Sequence, residues 1–166
     1  AYATITPNTV TADNCISRYD GATGTPVPLQ TSLMLISDTG ALQSTPSGGN
    51  ARGASAIDLQ VTRAAATQVA GGANAVISGG LNNTASADVA TVAGGTGNNA
   101  SGSYSSIGGG ILNVASNSAV VVGGGNANTA SAAYATVGGG NTNTSSANSA
   151  TVAGGANNTA SNNNAF

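Results

Sequence analysis

Apolar β-branched residues recur 15 positions apart through the second half of the chain, at Ile77, Val92, Ile107, Val122, Val137 and Val152. Each lies in a short alternating stretch. In Ala90-Thr91-Val92-Ala93-Gly94, the two-residue pleat of a strand puts Ala90, Val92 and Gly94 on one face, which is predicted to point inward. Other columns keep the same period. Gly-Gly pairs stand at 79–80, 94–95, 109–110, 124–125, 139–140 and 154–155. Asparagine fills one position of every unit, as Asn83, Asn98, Asn113, Asn128, Asn143 and Asn158. Two residues later comes a small one (Ala85, Ala100, Ala115, Ala130, Ser145, Ala160), followed by Ser86, Ser101, Ser116, Ser131, Ser146 and Ser161. A weaker unit over 61–75 keeps Ala70 and puts Gln68 where the asparagine falls.

This period is too short for a helical hairpin and carries no heptad, so it predicts the coils of a parallel β-solenoid, a β-roll or β-helix, within an all-β chain. Each unit makes one rung of short strands and turns, with rungs stacked about 4.8 Å apart. The glycine pair is placed at a tight corner, where positive φ or close backbone approach is required. Ile77, Val92, Ile107, Val122, Val137 and Val152 form a core ladder. The asparagine column forms a second ladder, passing side-chain amide hydrogen bonds from rung to rung and satisfying turn backbone. Both sets are read as structural.

The predicted inward set of one rung is a single Val or Ile with Ala and Gly. That is little apolar area to set against the ordering of 15 residues, so association is expected. Larger apolar residues at irregular positions (Leu81, Val89, Tyr104, Ile111, Leu112, Val114, Val120, Val121, Tyr134) are read as mostly outward and available to a homotrimer interface. Tyr104 and Tyr134, two rungs apart on one column, are candidate surface contacts or seam residues.

The organisation predicted is a β-rich N-terminal module with linker over 1–50, a transition and degenerate first coil over 51–75, and the solenoid over 76–166. All four prolines (Pro7, Pro26, Pro28, Pro46) and most of the larger aliphatics fall in the first part. Asp20-Gly21 and Asp38-Thr39-Gly40 read as β-turns. The segment 46–53 is a turn-rich linker, and Ala56-Ile57-Asp58-Leu59-Gln60-Val61 an entry strand.

Composition narrows the function. The chain has 166 residues with three Arg, five Asp and no Lys, Glu or His, and beyond Arg63 only Asp88 carries a side-chain charge. Neutralising phosphates takes several cations, so nucleic acid is not an expected partner. No apolar run approaches the roughly 18 residues of a membrane span, and no basic-then-apolar leader is seen. The usual general bases are missing, the Asp residues are spread rather than paired, and no His stands by to activate Ser or Cys15. No Asp recurs with the period, which removes a calcium-binding roll, and the Gly runs lack the Lys of a phosphate loop. No catalytic, cofactor or metal site is expected. Cys15 is alone, so no intrachain disulfide is possible.

Units such as Ala135-Thr-Val-Gly-Gly-Gly-Asn-Thr-Asn-Thr144 and Ala90-Thr-Val-Ala-Gly-Gly-Thr-Gly-Asn-Asn-Ala-Ser-Gly102 resemble YadA-like head repeats. The resemblance covers about 76–165 and rests on the period, the Gly pair and Asn-x-Ala-Ser together. It implies left-handed parallel β-rolls that associate as trimers, on bacterial surface adhesins and viral fibres. The family period is nearer 14, and the Gly after Ala-Ser is kept only at Gly102. Arg18-Tyr-Asp-Gly-Ala-Thr-Gly24 and Ile36-Ser-Asp-Thr-Gly-Ala-Leu42 look like small β modules of phage tail fibres.

Together these resemblances imply a structural or receptor-binding fibre protein of a virion. Its expected partners are its own copies, other fibre or baseplate proteins, and a host surface glycan or protein. The head of a bacterial trimeric autotransporter adhesin, at the cell surface, is the alternative. An ice-binding solenoid ranks third, because Val76, Thr91, Ser106, Val121, Thr136 and Thr151 make no unbroken Thr rank.

Overall fold

The computed structural model describes residues 34–36, 42–44 and 50–166. The prolines, Cys15 and both Asp turns of the expected N-terminal module lie outside the described residues. In chain order the strands are β1 (Met34–Ile36), β2 (Leu42–Ser44), β3 (Ile57–Asp58), β4 (Val76–Ile77), β5 (Thr84–Ala85), β6 (Thr91–Val92), β7 (Asn99–Ala100) and β8 (Ser106–Ile107). They continue with β9 (Val114–Ala115), β10 (Val121–Val122), β11 (Thr129–Ala130), β12 (Thr136–Val137), β13 (Thr144–Ser145), β14 (Thr151–Val152) and β15 (Thr159–Ala160).

The described chain is an all-β parallel solenoid of about seven turns, as the 15-residue period predicts. One sheet runs β1-β2-β3-β4-β6-β8-β10-β12-β14, the other β15-β13-β11-β9-β7-β5. Among the described residues only β1 with β2 is antiparallel, with Ile36 opposite Leu42. Like residues stack on like: Ile77 on Val92, Val92 on Ile107, Val122 on Val137, and Val137 on Val152. A third ladder, one residue wide, joins Leu81, Thr96, Ile111, Asn126, Asn141 and Ala156. No helix among the described residues is long and apolar enough to cross a membrane.

The first coil differs from the short unit read over 61–75. Ile57 pairs with Val76, 19 residues on, and Thr62 with Leu81, again 19 on, whereas Ala70 pairs with Ala85, 15 on. Four extra residues therefore sit between Thr62 and Ala70. The coil starts at Ile57.

The core is narrow and made of small residues. The Ile77 column is fully buried up to Val137, with Val152 at 6% exposure. Facing it are Ala85, Ala100, Ala115, Ala130 and Ser145, with Ala90, Val120, Ala135 and Ala150 at the position preceding the first strand of each coil, all buried. Val120, expected on the outside, therefore belongs to the core. The residue before the strand shares the inward face of the strand's second residue, two positions on, by the two-residue pleat. From β4 onward two polar residues interrupt these columns. Ser145 donates its hydroxyl to the Ala150 carbonyl at 2.8 Å, while the Ser105 hydroxyl is buried without a partner among the described residues.

Besides the glycine corner, each coil turns at two left-handed positions. One column (Asn82, Gly97, Leu112, Ala127, Thr142, Asn157) and another half a coil away (Asn74, Val89, Tyr104, Ala119, Tyr134, Ser149, Asn164) have φ between +53° and +67°. Strand amides alternate, Val76 N–H donating forward to Ala90 O and Ala85 N–H back to Val69 O. The residues at both left-handed columns donate back to the preceding coil, Leu112 N–H to Thr96 O and Tyr104 N–H to Asp88 O. Asn and Gly suit that conformation, whereas Val and Tyr are strained in it.

Candidate functional site

The asparagine ladder is anchored mainly to backbone. Asn113 donates from Nδ2 to Gly109 O of its own coil at 2.9 Å and to Gly125 O of the next at 3.0 Å. Its Oδ1 accepts the Asn128 N–H at 3.0 Å. Asn98, Asn128 and Asn143 repeat this arrangement, and Asn83 follows it with Nδ2 on Gly79 O and Gly95 O. Direct amide-to-amide bonds of the expected kind join Asn113 to Asn98 at 3.1 Å and Asn128 to Asn113 at 3.2 Å. Asn83 through Asn143 are buried, and Asn158 is exposed.

The glycine pair and the asparagine belong to one device. A Cβ on Gly95, whose φ is +86°, would run into the Gly110 carbonyl and lie 2.8 Å from Asn98 Nδ2. Glycine lets the corner carbonyls come within reach of the amide.

The foot of the ladder is Gln60 rather than Gln68. Gln60 is fully buried, accepts the Asn83 N–H on Oε1 at 2.8 Å, and donates from Nε2 to Asn83 O and Gln68 O. The Gln68 side chain accepts the Ala64 and Ala65 amides instead, closing the four-residue expansion. One more methylene lets Gln60 span the wider first coil.

Beside Gln60 lies a buried ionic cluster that sequence reasoning missed. Asp58 occupies the column of Ile77 and is fully buried. Its Oδ2 meets Arg52 Nε and Arg63 Nη2, each at 3.0 Å, and accepts the Ala70 N–H at 3.3 Å. Asp58 Oδ1 and Arg52 Nη2 are buried without a partner among the described residues. Burial first, then the Arg63 charge, pushes the Arg52 guanidinium below its ordinary value, with Asp58 opposing. The entry strand thus inverts the usual alternation: Asp58 and Gln60 point inward, while Ile57 and Val61 are 36% and 56% exposed. No alternation signal marks that inversion. It follows only from pairing Asp58 with Ile77 across the 19-residue coil.

Beyond Val61, the exposed large apolar side chains other than Val121 and Phe166 gather at two corners among the described residues. One carries Leu81, Ile111 and Leu112, exposed by 39%, 51% and 58%. The other, half a coil away, carries Val89, Tyr104 and Tyr134. Tyr104 and Tyr134 are 65% and 66% exposed, with Ala119 on the rung between them. Among the described residues no three His, Cys, Asp or Glu come together as a metal site. No model of a known protein family matches the chain, and no curated protein matches it.

Proposed function

We propose that this chain is a structural, non-catalytic segment of a virion attachment fibre, in which the stacked coils act as a stiff spacer and presenting surface and associate as a homotrimer. The observation that carries the reading is register. Six consecutive 15-residue coils stack without insertion, so that backbone ladders, core column and Asn column all run the length of the rod. Seven coils at about 4.8 Å make a rod of roughly 34 Å. Its surface beyond Arg63 carries the single charge of Asp88, which suits neutral partners rather than phosphates or anionic headgroups.

Self-association is supported by the thin core and by the Leu81–Ile111–Leu112 corner, which leaves large aliphatic side chains in water. A trimer seamed at that corner turns the tyrosine corner outward. The place on a virion rests on the likeness of 18–24 and 36–42 to tail-fibre modules, with other fibre or baseplate proteins and a host surface glycan or protein as partners. Light scattering on the purified chain tests the assembly. Three copies are expected, and a well-folded monomer at tens of micromolar would remove the trimer.

A further inference from the structure

We infer that Tyr104 and Tyr134, with Ala119 between them, form a stacking platform for a neutral, extended β-linked oligosaccharide. Four observations converge on that corner. The two tyrosines occupy one column two coils apart, about 9.6 Å at the rung spacing, and Ala119 leaves a ledge rather than a third ring between them. In an extended β-linked chain alternate rings face the same way, so two platforms at a two-ring interval can engage one strand of sugar. Both residues hold φ near +60°, a strained setting for a bulky side chain, although Asn74 and Asn164 fill the same column without that strain. Val89 carries the same strain at φ +59°, so what sets Tyr104 and Tyr134 apart is that each holds an exposed ring there.

The third observation is charge. Tyr104 N–H bonds the carbonyl of Asp88, the one charged residue beyond Arg63, so the nearest charge is negative and an anionic glycan is disfavoured. Ser103 and Ser118 lie one residue before Tyr104 and Ala119, which places hydroxyl-bearing residues along the ledge. The fourth is area. At 65% and 66% exposure of roughly 200 Å² apiece, the two rings offer about 260 Å². A stable protein interface needs about 800 Å² per partner. Two rings make up only a part of such an interface, whereas their area matches the scale of two sugar rings.

This inference deepens the proposed attachment role but does not need the trimer. The test uses the whole chain, with cellotetraose and chitotetraose as β-linked probes and maltotetraose as the α-linked comparison, followed by NMR titration. Binding of at least one β-linked probe, stronger than maltotetraose, is expected. Tyr104→Asn and Tyr134→Asn should each weaken it about tenfold, while Tyr→Phe at either site keeps most of it. Because asparagine already occupies this column, both variants keep the turn, and circular dichroism checks that they do. The platform is overturned if neither β-linked probe binds, if the Asn variants bind as well as the parent, or if they change the molecular mass instead, which would make the corner a seam. A parent that is monomeric yet binds through both tyrosines would remove the trimer and leave the platform standing.

Discussion

Replacing Asn113 by alanine removes the connections that hold one corner of the solenoid closed, and the cost can be worked bond by bond. The Gly125 carbonyl keeps the Ile111 N–H at 2.8 Å, and Asn98 Oδ1 keeps the Asn113 N–H at 3.0 Å, so neither is orphaned. The Asn128 N–H loses its acceptor in a fully buried setting, and the partly exposed Gly109 carbonyl loses its side-chain donor. A buried unsatisfied group costs about 1–3 kcal/mol, and the carbonyl has water within reach, so the total is about 3 kcal/mol.

Stacked repeats open locally, so the suitable assay is hydrogen exchange at the Asn128 amide. Roughly a hundredfold faster exchange is expected. Asn126→Ala removes an exposed bond to Asn141 Oδ1 at 2.9 Å and serves as the surface control, with under about 0.5 kcal/mol lost.

Asn113→Asp adds a pH signature to the same argument. The carboxyl replaces an NH₂ that faces two carbonyls, so the folded state disfavours its ionised form and its pKa rises above the unfolded value. The variant is therefore least damaged below about pH 4 and loses stability as pH climbs through the raised pKa. A pH-independent loss of less than about 1 kcal/mol for both Asn113 variants, matching Asn126→Ala, would show that the ladder is ornamental to stability.

Three further outcomes follow from single residues. Ser105→Ala removes a buried hydroxyl that has no partner among the described residues, from a column otherwise filled by Ala and Val, and should raise stability by about 1 kcal/mol in thermal melts. Val89→Asn exchanges a β-branched residue at φ +59° for one that tolerates the left-handed region, and should gain about 1 kcal/mol by the same measurement. Asp58→Ala strands two largely buried guanidiniums and should cost about 3–5 kcal/mol, with urea denaturation showing the loss concentrated in the first coil.

The regular part of this fold was legible because the same residue types return at fixed positions. Val92, Asn98 and Ala100 each have a counterpart 15 residues away, and stacking follows from that identity. What stayed hidden lacks such identity. The left-handed columns hold Asn, Gly, Leu, Ala and Thr at one corner and Asn, Val, Tyr, Ala and Ser at the other, because only the backbone, not the side chain, is constrained there. Val120 was misplaced for a related reason: its column mates are Ala and Ser, so its bulk stood out of the period and hid that Ala90 of the same column already faces inward. The Asp58 cluster was masked twice, by four inserted residues that shift the register and by Ile57 and Val61, whose alternation points the wrong way. Its residues hold the base of the asparagine ladder in place, a role that spacing alone could not assign.

Because strand amides alternate, each rung offers both N–H and C=O groups to the rungs on either side of it. A terminal rung therefore leaves hungry donors and acceptors together, a template that captures further strands. At the first coil that edge is covered by β2, whose Leu42 N–H bonds the Ala56 carbonyl. Among the described residues β14 and β15 are paired on one side only, so theirs is the edge left to accept another rung or a cap.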